Sequence, residues 1–206
     1  QVHIHQAGLE ASATPVISTA HAVRIAKMLQ MAAREGGAAQ DVDEYQVDID
    51  AWSAALNRYS WDAGSGYFSY VLHDAAGEPQ SILRHAGGQN FDMGLDGASP
   101  FFAGICSPEQ EQAIMERLSS AEHLWTKIGL TTVDQSADYY KLDGYWNGAV
   151  WFPQQWFYWK ALLDQGRAGF AAQIARTALD TWKNEVDTSY NCFEHFIVQS
   201  GRGAGW

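Results

Sequence analysis

The sequence predicts an all-α fold of helical hairpins in two layers, with one small β-hairpin inserted. Three observations predict it. Helix start and stop signals recur: Thr14-Pro15 and Ser107-Pro108 precede apolar-periodic runs, and Gly36-Gly37 and Gly166 follow them. A run apolar nearly all round, Trp156 to Leu163, is joined by a short turn to an amphipathic one, Arg167 to Lys183. An enclosed helix followed by one that faces water is what concentric helical layers require. Only Tyr67 to Leu72, aromatic and β-branched between two turns, reads as strand.

Composition narrows the class. A chain of 206 residues is one domain or part of one, long enough to bury a sizeable core. Hydrophobic residues at 47% and aromatics at 13% exclude a disordered chain. The net charge of -11, with no basic cluster, excludes a phosphate-backbone partner, so no nucleic acid is expected. No run is long and apolar enough to span a bilayer, so no membrane partner is expected either, and no signal peptide is visible. Cys106 and Cys192 match no metal spacing and imply no disulfide framework. Gln1 in place of an initiator Met, and Trp206 directly after a Gly-rich run, read as cut ends.

Residues 1–13 carry His3, His5 and Glu10 without a strong period. A His-x-His pair is half a metal site at most, and no further ligand sits at a supporting spacing; neither metal nor cofactor is expected. Thr14 and Pro15 read as N-cap and first helical position, with Ala22, Ile25, Leu29 and Ala32 on the inward face and Arg24, Lys27 and Arg34 off it. A second helix is predicted from Tyr45 to Tyr59, with Val47, Ala51, Ala54 and Ala55 inward. The hairpin follows, and Asp74 to Gly77 turns again. Gly87 to Pro100 reads as a loop holding Asp92 and Asp96; either has the chemistry of a catalytic acid, and each is by default a turn-former near Gly. Ser107-Pro108-Glu109-Gln110 is a capping box that starts a helix running to about Leu118. Ala121 to Thr126 is expected as a further helical turn, and Leu130 to Tyr140 as irregular polar chain. Pro153 fits the start of the enclosed helix. In the amphipathic one Phe170, Ile174, Ala178 and Trp182 face in.

The chemistry concentrates in Tyr145-Trp146-Asn147-Gly148-Ala149-Val150-Trp151-Phe152-Pro153-Gln154-Gln155-Trp156, which packs three of the chain's nine Trp beside three side-chain amides. Flat aromatic faces next to fixed donors and acceptors suit a neutral, hydroxyl-rich ligand. Glu194 sits among Tyr190, Phe193 and Phe196. A carboxylate among aromatics is costly without hydrogen bonds or chemistry, and two readings stay open: a Glu held by backbone donors, or a catalytic one.

Tyr145 to Trp151, Gly66-Tyr67-Phe68, Ser107 to Gln110 and Tyr190 to Phe196 resemble glycoside hydrolase family 63, in its mannosylglycerate-hydrolase-like branch, which includes α-glucosidases. The similarity runs from about Trp61 to Trp206, and the Tyr-Trp-x-Gly-x-Val-Trp signature is fairly specific. The resemblance implies an (α/α)6 barrel and hydrolysis of α-linked glucosides or mannosides with inversion. It places Glu194 at the general base, and Tyr145, Trp146 and Trp151 in the sugar site. Asn147 stands where many relatives carry Arg, a departure that bears on substrate class. Asn147 and Gln155 are expected to bind hydroxyls, Trp206 to stack the sugar, and His195 to join the site beside Glu194. A base must be ionised to take a proton, so polar donors are expected around the Glu194 oxygens.

Inversion needs a second carboxyl to protonate the leaving oxygen. In relatives it is an Asp on a loop further ahead of the base than this sequence reaches, so the acid is expected upstream and the chain alone is expected to be inactive. Roughly six helices are predicted where six hairpins need about twelve. Residues 1–206 are therefore expected to be the C-terminal portion of the catalytic domain, truncated at both ends: about half of the toroid. Exposed barrel helices would favour self-association. The alternative is a non-catalytic module that binds carbohydrate or a partner. An epimerase or lyase on the same toroid is a third possibility, kept open by His195.

Overall fold

A computed structural model describes residues 12–142 and 144–205. His3, His5, Glu10 and Trp206 lie outside them. The chain divides into two compact units, residues 1–92 with 96–107, and residues 93–95 with 108–206.

In the first unit, α1 (Val16–Gly36) and α2 (Ala39–Tyr59) pack as a helical hairpin. Gly37 makes the turn: its φ of 73° is left-handed, and its N–H reaches the carbonyls of Ala33 and Arg34. Helix α1 begins one residue later than the sequence predicts, with Pro15 at the N-cap and Thr14 in a strand, and its buried face is Val16, Ala20, Val23, Ala26 and Gln30. The predicted stripe is rotated off the core, and Ile25 and Leu29 are 55% and 44% exposed. The cause is the short helix α3 (Ser99–Ala103), whose C-terminal carbonyls need cations. Arg24 Nη1 donates to Phe102 O at 2.9 Å and Lys27 Nζ to Ala103 O at 2.6 Å, so α1 turns its small residues and cations toward the packed side. Helix α2 starts six residues earlier than predicted, and Val47, Ala51, Ala54 and Ala55 are all exposed; Ile49 and Leu56 form its buried seam.

Strands β1 (Ala13–Thr14), β2 (Trp61–Asp62), β3 (Tyr67–Phe68), β4 (Val71–His73) and β5 (Pro79–Ile82) complete this unit. The predicted strand Tyr67 to Leu72 is split: Tyr67–Phe68 forms β3, antiparallel to β2 in the segment read as turn and closed by Gly66 at φ 75°, and Val71–His73 forms β4. A second antiparallel sheet, β1–β4–β5, uses the Asp74–Gly77 turn and exceeds the single hairpin expected.

In the second unit, α4 (Pro108–Ser119) is followed by a turn and by β6 (Trp125–Thr126) paired with β7 (Gly129–Leu130). The further helical turn expected over Ala121 to Thr126 does not form. Asp134 takes that segment instead: His123 Nδ1 lies 3.0 Å from its buried carboxylate, and Ser136 N also donates to it. A long irregular loop leads to α5 (Phe152–Asp164) and α6 (Ala168–Ser189), packed together around Gly166 at φ 73°. Helix α5 is not enclosed on all sides: Tyr158, Ala161 and Leu162 are buried, while Trp156 is 52% exposed. Trp156, Trp159, Leu179 and Trp182 line an apolar groove of about 320 Å³ between the two helices. On α6, Ile174 is buried as predicted, whereas Trp182 is exposed and Thr181 and Glu185 take the inward places. Strands β8 (His195–Phe196) and β9 (Gly203–Ala204) close the unit, and Phe196 joins Ile128, Val150 and Val198 in a small core. The helix-rich chain with a few short sheets agrees with the all-α class. No helix among the described residues is long and apolar enough to cross a membrane.

Candidate active site

The site is built where the loop before α5 meets β8. Val150 and Phe196 exchange two backbone hydrogen bonds of 2.9 Å, so Trp151 and His195 start from one short ladder. Their rings stack at 5.2 Å, and Trp146 stacks on the other face of the set, 4.2 Å from Trp151 and 6° from parallel. Tyr145 stands edge-on to Trp146, Trp151 and His195, each between 4.8 and 4.9 Å. Trp151 Nε1 donates to Tyr145 O at 2.8 Å, which fixes the loop against the indole. His195 and Trp151 are buried and Trp146 is 64% exposed, so the stack is anchored at its His195 end and offers a bare ring at the other.

Glu194 joins this group through its carboxylate. Tyr145 Oη donates to Glu194 Oε2 at 2.6 Å, the polar donor expected around a base. That hydrogen bond holds the Tyr145 phenol above its ordinary range, so it stays protonated and keeps donating. Glu194 itself is exposed. Gly205, at φ 83°, lies against one side of it: a Cβ there would meet Oε2 at 2.9 Å and His195 Nδ1 at 3.2 Å. His195 is buried, and its Nδ1 has no hydrogen-bond partner among the described residues.

The structure thus gathers Tyr145, Trp146, Trp151, Glu194 and His195. It gives the two amides other tasks. Asn147 Nδ2 donates to Tyr139 O at 2.7 Å and braces its own loop. Gln155 is buried, with Oε1 accepting from Leu130 N and Nε2 donating to Leu130 O, both at 2.8 Å, so it completes the edge of β7. Trp206 lies outside the described residues. Asp92 and Asp96 fall in the loop of the first unit. Burial and the Asp96 charge push the Asp92 carboxyl well up, and burial raises Asp96. Asp92 Oδ2 is buried without a partner among the described residues. Among the described residues no three His, Cys, Asp or Glu side chains gather as a metal site.

The residue that sequence reasoning missed is Glu185. Its signal was its place on the inward stripe of α6, eleven residues after Ile174, three helical turns on. Oε1 accepts from Arg202 Nη2 and Oε2 from Gly203 N, both at 2.8 Å. Burial alone would raise this carboxyl, but the Gly203 N–H, the Ser189 hydroxyl and the Arg202 guanidinium outweigh it and hold it below the usual range. A depressed folded value gives stability that is present above the unfolded carboxylate pKa and lost as pH falls through the folded one. The β8–β9 hairpin is accordingly expected to loosen only in acid.

The family model for the mannosylglycerate hydrolase MGH1-like glycoside hydrolase domain matches residues 3–205. The chain belongs to this family. Its fold is similar to that of a family 63 mannosylglycerate hydrolase from Thermus thermophilus solved in complex with glucose, with TM-score 0.73 and 21% identity over 94% of this chain and 44% of that one. A sialidase matches with TM-score 0.71 and 13% identity over 96% of this chain and 19% of its own. A neutral trehalase from Saccharomyces cerevisiae matches with TM-score 0.58 and 17% identity over 78% of this chain and 28% of its own. This MGH1-like chain spans less than half the length of each. At these identities the structural likeness shows fold, and it agrees with the (α/α)6 glycosidases.

Proposed function

We propose that this chain is the base-bearing portion of an inverting glycoside hydrolase acting on α-linked glucosides or mannosides, with its hairpins forming about half of an (α/α)6 toroid. The observation that supports it is the Tyr145–Glu194 hydrogen bond set against the Trp146–Trp151 stack. A pyranose lays its C–H face on the bare Trp146 ring. Glu194 Oε2 is held by Tyr145, which leaves Oε1 to take a proton from water. The water oxygen bonds to the anomeric carbon as the glycosidic bond breaks, and an acid on the opposite face protonates the leaving oxygen. We assign that role to an Asp on a loop ahead of Glu194 in sequence, as the family resemblance implies. Asp92 and Asp96 are the sequence's other candidates for that acid.

The test uses the isolated chain, with glucose as binding probe and an aryl α-glucoside as substrate. Glucose should change the Trp fluorescence, and Trp146→Ala should weaken binding about tenfold, the loss of one stacking face. Hydrolysis should stay at background. Ordinary turnover would move the acid to Asp92 or Asp96; glucose binding untouched by Trp146→Ala would remove the sugar-stacking reading. A module that only binds carbohydrate uses the same stack, and it is separated by whether the longer parent hydrolyses anything.

Self-association belongs to the same proposal, supported by the exposed Trp156, Leu179 and Trp182 around one groove. Sedimentation should become faster with concentration, and a Leu179→Glu chain should not show it. A constant sedimentation coefficient in the unaltered chain would dismiss it.

A further inference from the structure

We infer that Glu185 is a positioning residue for Glu194, acting through strand β9. The inference rests on the reading of Glu194 as the base. Three observations lead to it. First, Glu185 is buried at 2% exposure on the last turns of α6, yet both of its oxygens leave the helix to hold Arg202 and Gly203. A buried carboxylate so used is a fixed anchor, since breaking either bond strands a charge.

Second, Glu185 ties β9 to α6 across an open side. Its ladder partner is β8, with His195 opposite Ala204 and Phe196 opposite Gly203. On the α6 side the hairpin opens onto a polar cleft of about 390 Å³, lined by Lys127, Thr181, Asn184, Thr188, Ser200 and Arg202 among others. Apolar packing therefore does not fill that side, and the Glu185 bonds span it. The core contacts of Phe196 and Val198 hold β8 and the chain just after it.

Third, β9 delivers the wall of the site. Gly203 packs so closely on the Phe193 ring that a Cβ would overlap it, and Gly205 lies over Glu194 Oε2 and His195 Nδ1. If β9 lifts, the backbone against the Glu194 carboxylate goes with it, and the side chain is free to turn away from Tyr145 and its 2.6 Å bond.

The experiment compares the full chain with Glu185→Gln and Arg202→Met by amide hydrogen exchange, and follows Tyr145 by its phenolate absorbance, with Tyr145→Phe identifying the signal. In Glu185→Gln the amides of Ile197, bonded to Arg202 O, and Gly203, bonded to Glu185, should exchange at least about tenfold faster, the worth of one charged hydrogen bond. The amides of Leu95 and Thr131, bonded elsewhere in the same unit, should not change. The Tyr145 titration should move down toward an ordinary tyrosine, a change that loss of packing elsewhere would not produce. Arg202→Met, which keeps the Gly203 bond, should give smaller changes in the same direction. Unchanged exchange and titration in a folded Glu185→Gln chain overturn the inference; if that chain does not fold, unchanged values in Arg202→Met do so. Failure of the base reading is distinguishable. It would appear as Glu194→Gln hydrolysing normally in the longer parent, with the exchange result still standing.

Discussion

On the proposed reading of Glu194 as the base, Glu194→Gln in a hydrolytically active protein that carries this chain is expected to lower kcat by about a hundred- to ten-thousandfold, the range for removing a general base. Gln keeps the shape and an acceptor oxygen for Tyr145, so the Trp146–Trp151–His195 stack should stay in place and KM should change little. The split decides the role. A group that only bound sugar would raise KM with kcat intact; a group that takes a proton from water lowers kcat alone. Steady-state kinetics on an α-glucoside, paired with glucose binding by fluorescence, reads both. A Glu194→Gln enzyme with undiminished kcat would falsify the assignment of the base.

Gly148→Ala is expected to have the largest effect on stability. A Cβ at Gly148 would overlap the Lys141 carbonyl oxygen and lie 2.7 Å from its carbon, and backbone cannot swing aside as a side chain can. The loop has no slack to absorb it. Gly148 O accepts from Thr131 Oγ1 at 2.5 Å, Lys141 N donates to Asn147 O at 2.9 Å, and Ala149 N donates to Gly144 O at 2.8 Å. Destabilisation of about 3 kcal/mol or more follows from overpacking against backbone. Thermal unfolding should show a fall in Tm of roughly 6–12 °C for a chain of this size. Near-UV circular dichroism should lose the signal of the stacked indoles. Gly144→Ala is the control: its Cβ meets the Asn147 side chain, which can turn away at the loss of one hydrogen bond, so the cost should be smaller. Equal melting temperatures for Gly148→Ala and the unaltered chain would refute the account of this loop.

Legibility varied with the range of the interaction that decides each feature. The Tyr-Trp-x-Gly-x-Val-Trp stretch announced both the aromatic patch and the glycine that lets the loop close, because seven consecutive residues contain them. Glu194 was singled out by its aromatic neighbours, but Tyr145, forty-nine residues away, is what holds it. The amides misled. Asn147 and Gln155 have the right groups for hydroxyls, yet each satisfies a backbone that the irregular loop and the short β7 edge would otherwise leave unpaired. Glu185 looked like any acid near a helix end.

By itself the sequence determined the helix-rich class, most helix boundaries and the family. Caps, turns and signature residues act within a few positions of one another, where local sterics and hydrogen bonds suffice. Tertiary structure alone decided which face of α1 is buried, that α2 turns its alanines outward, and that an acid on α6 reaches across to β9. A helix with apolar residues on two sides has no preferred core until a neighbour supplies carbonyls for Arg24 and Lys27, and a carboxylate has no role until its partners arrive from distant chain.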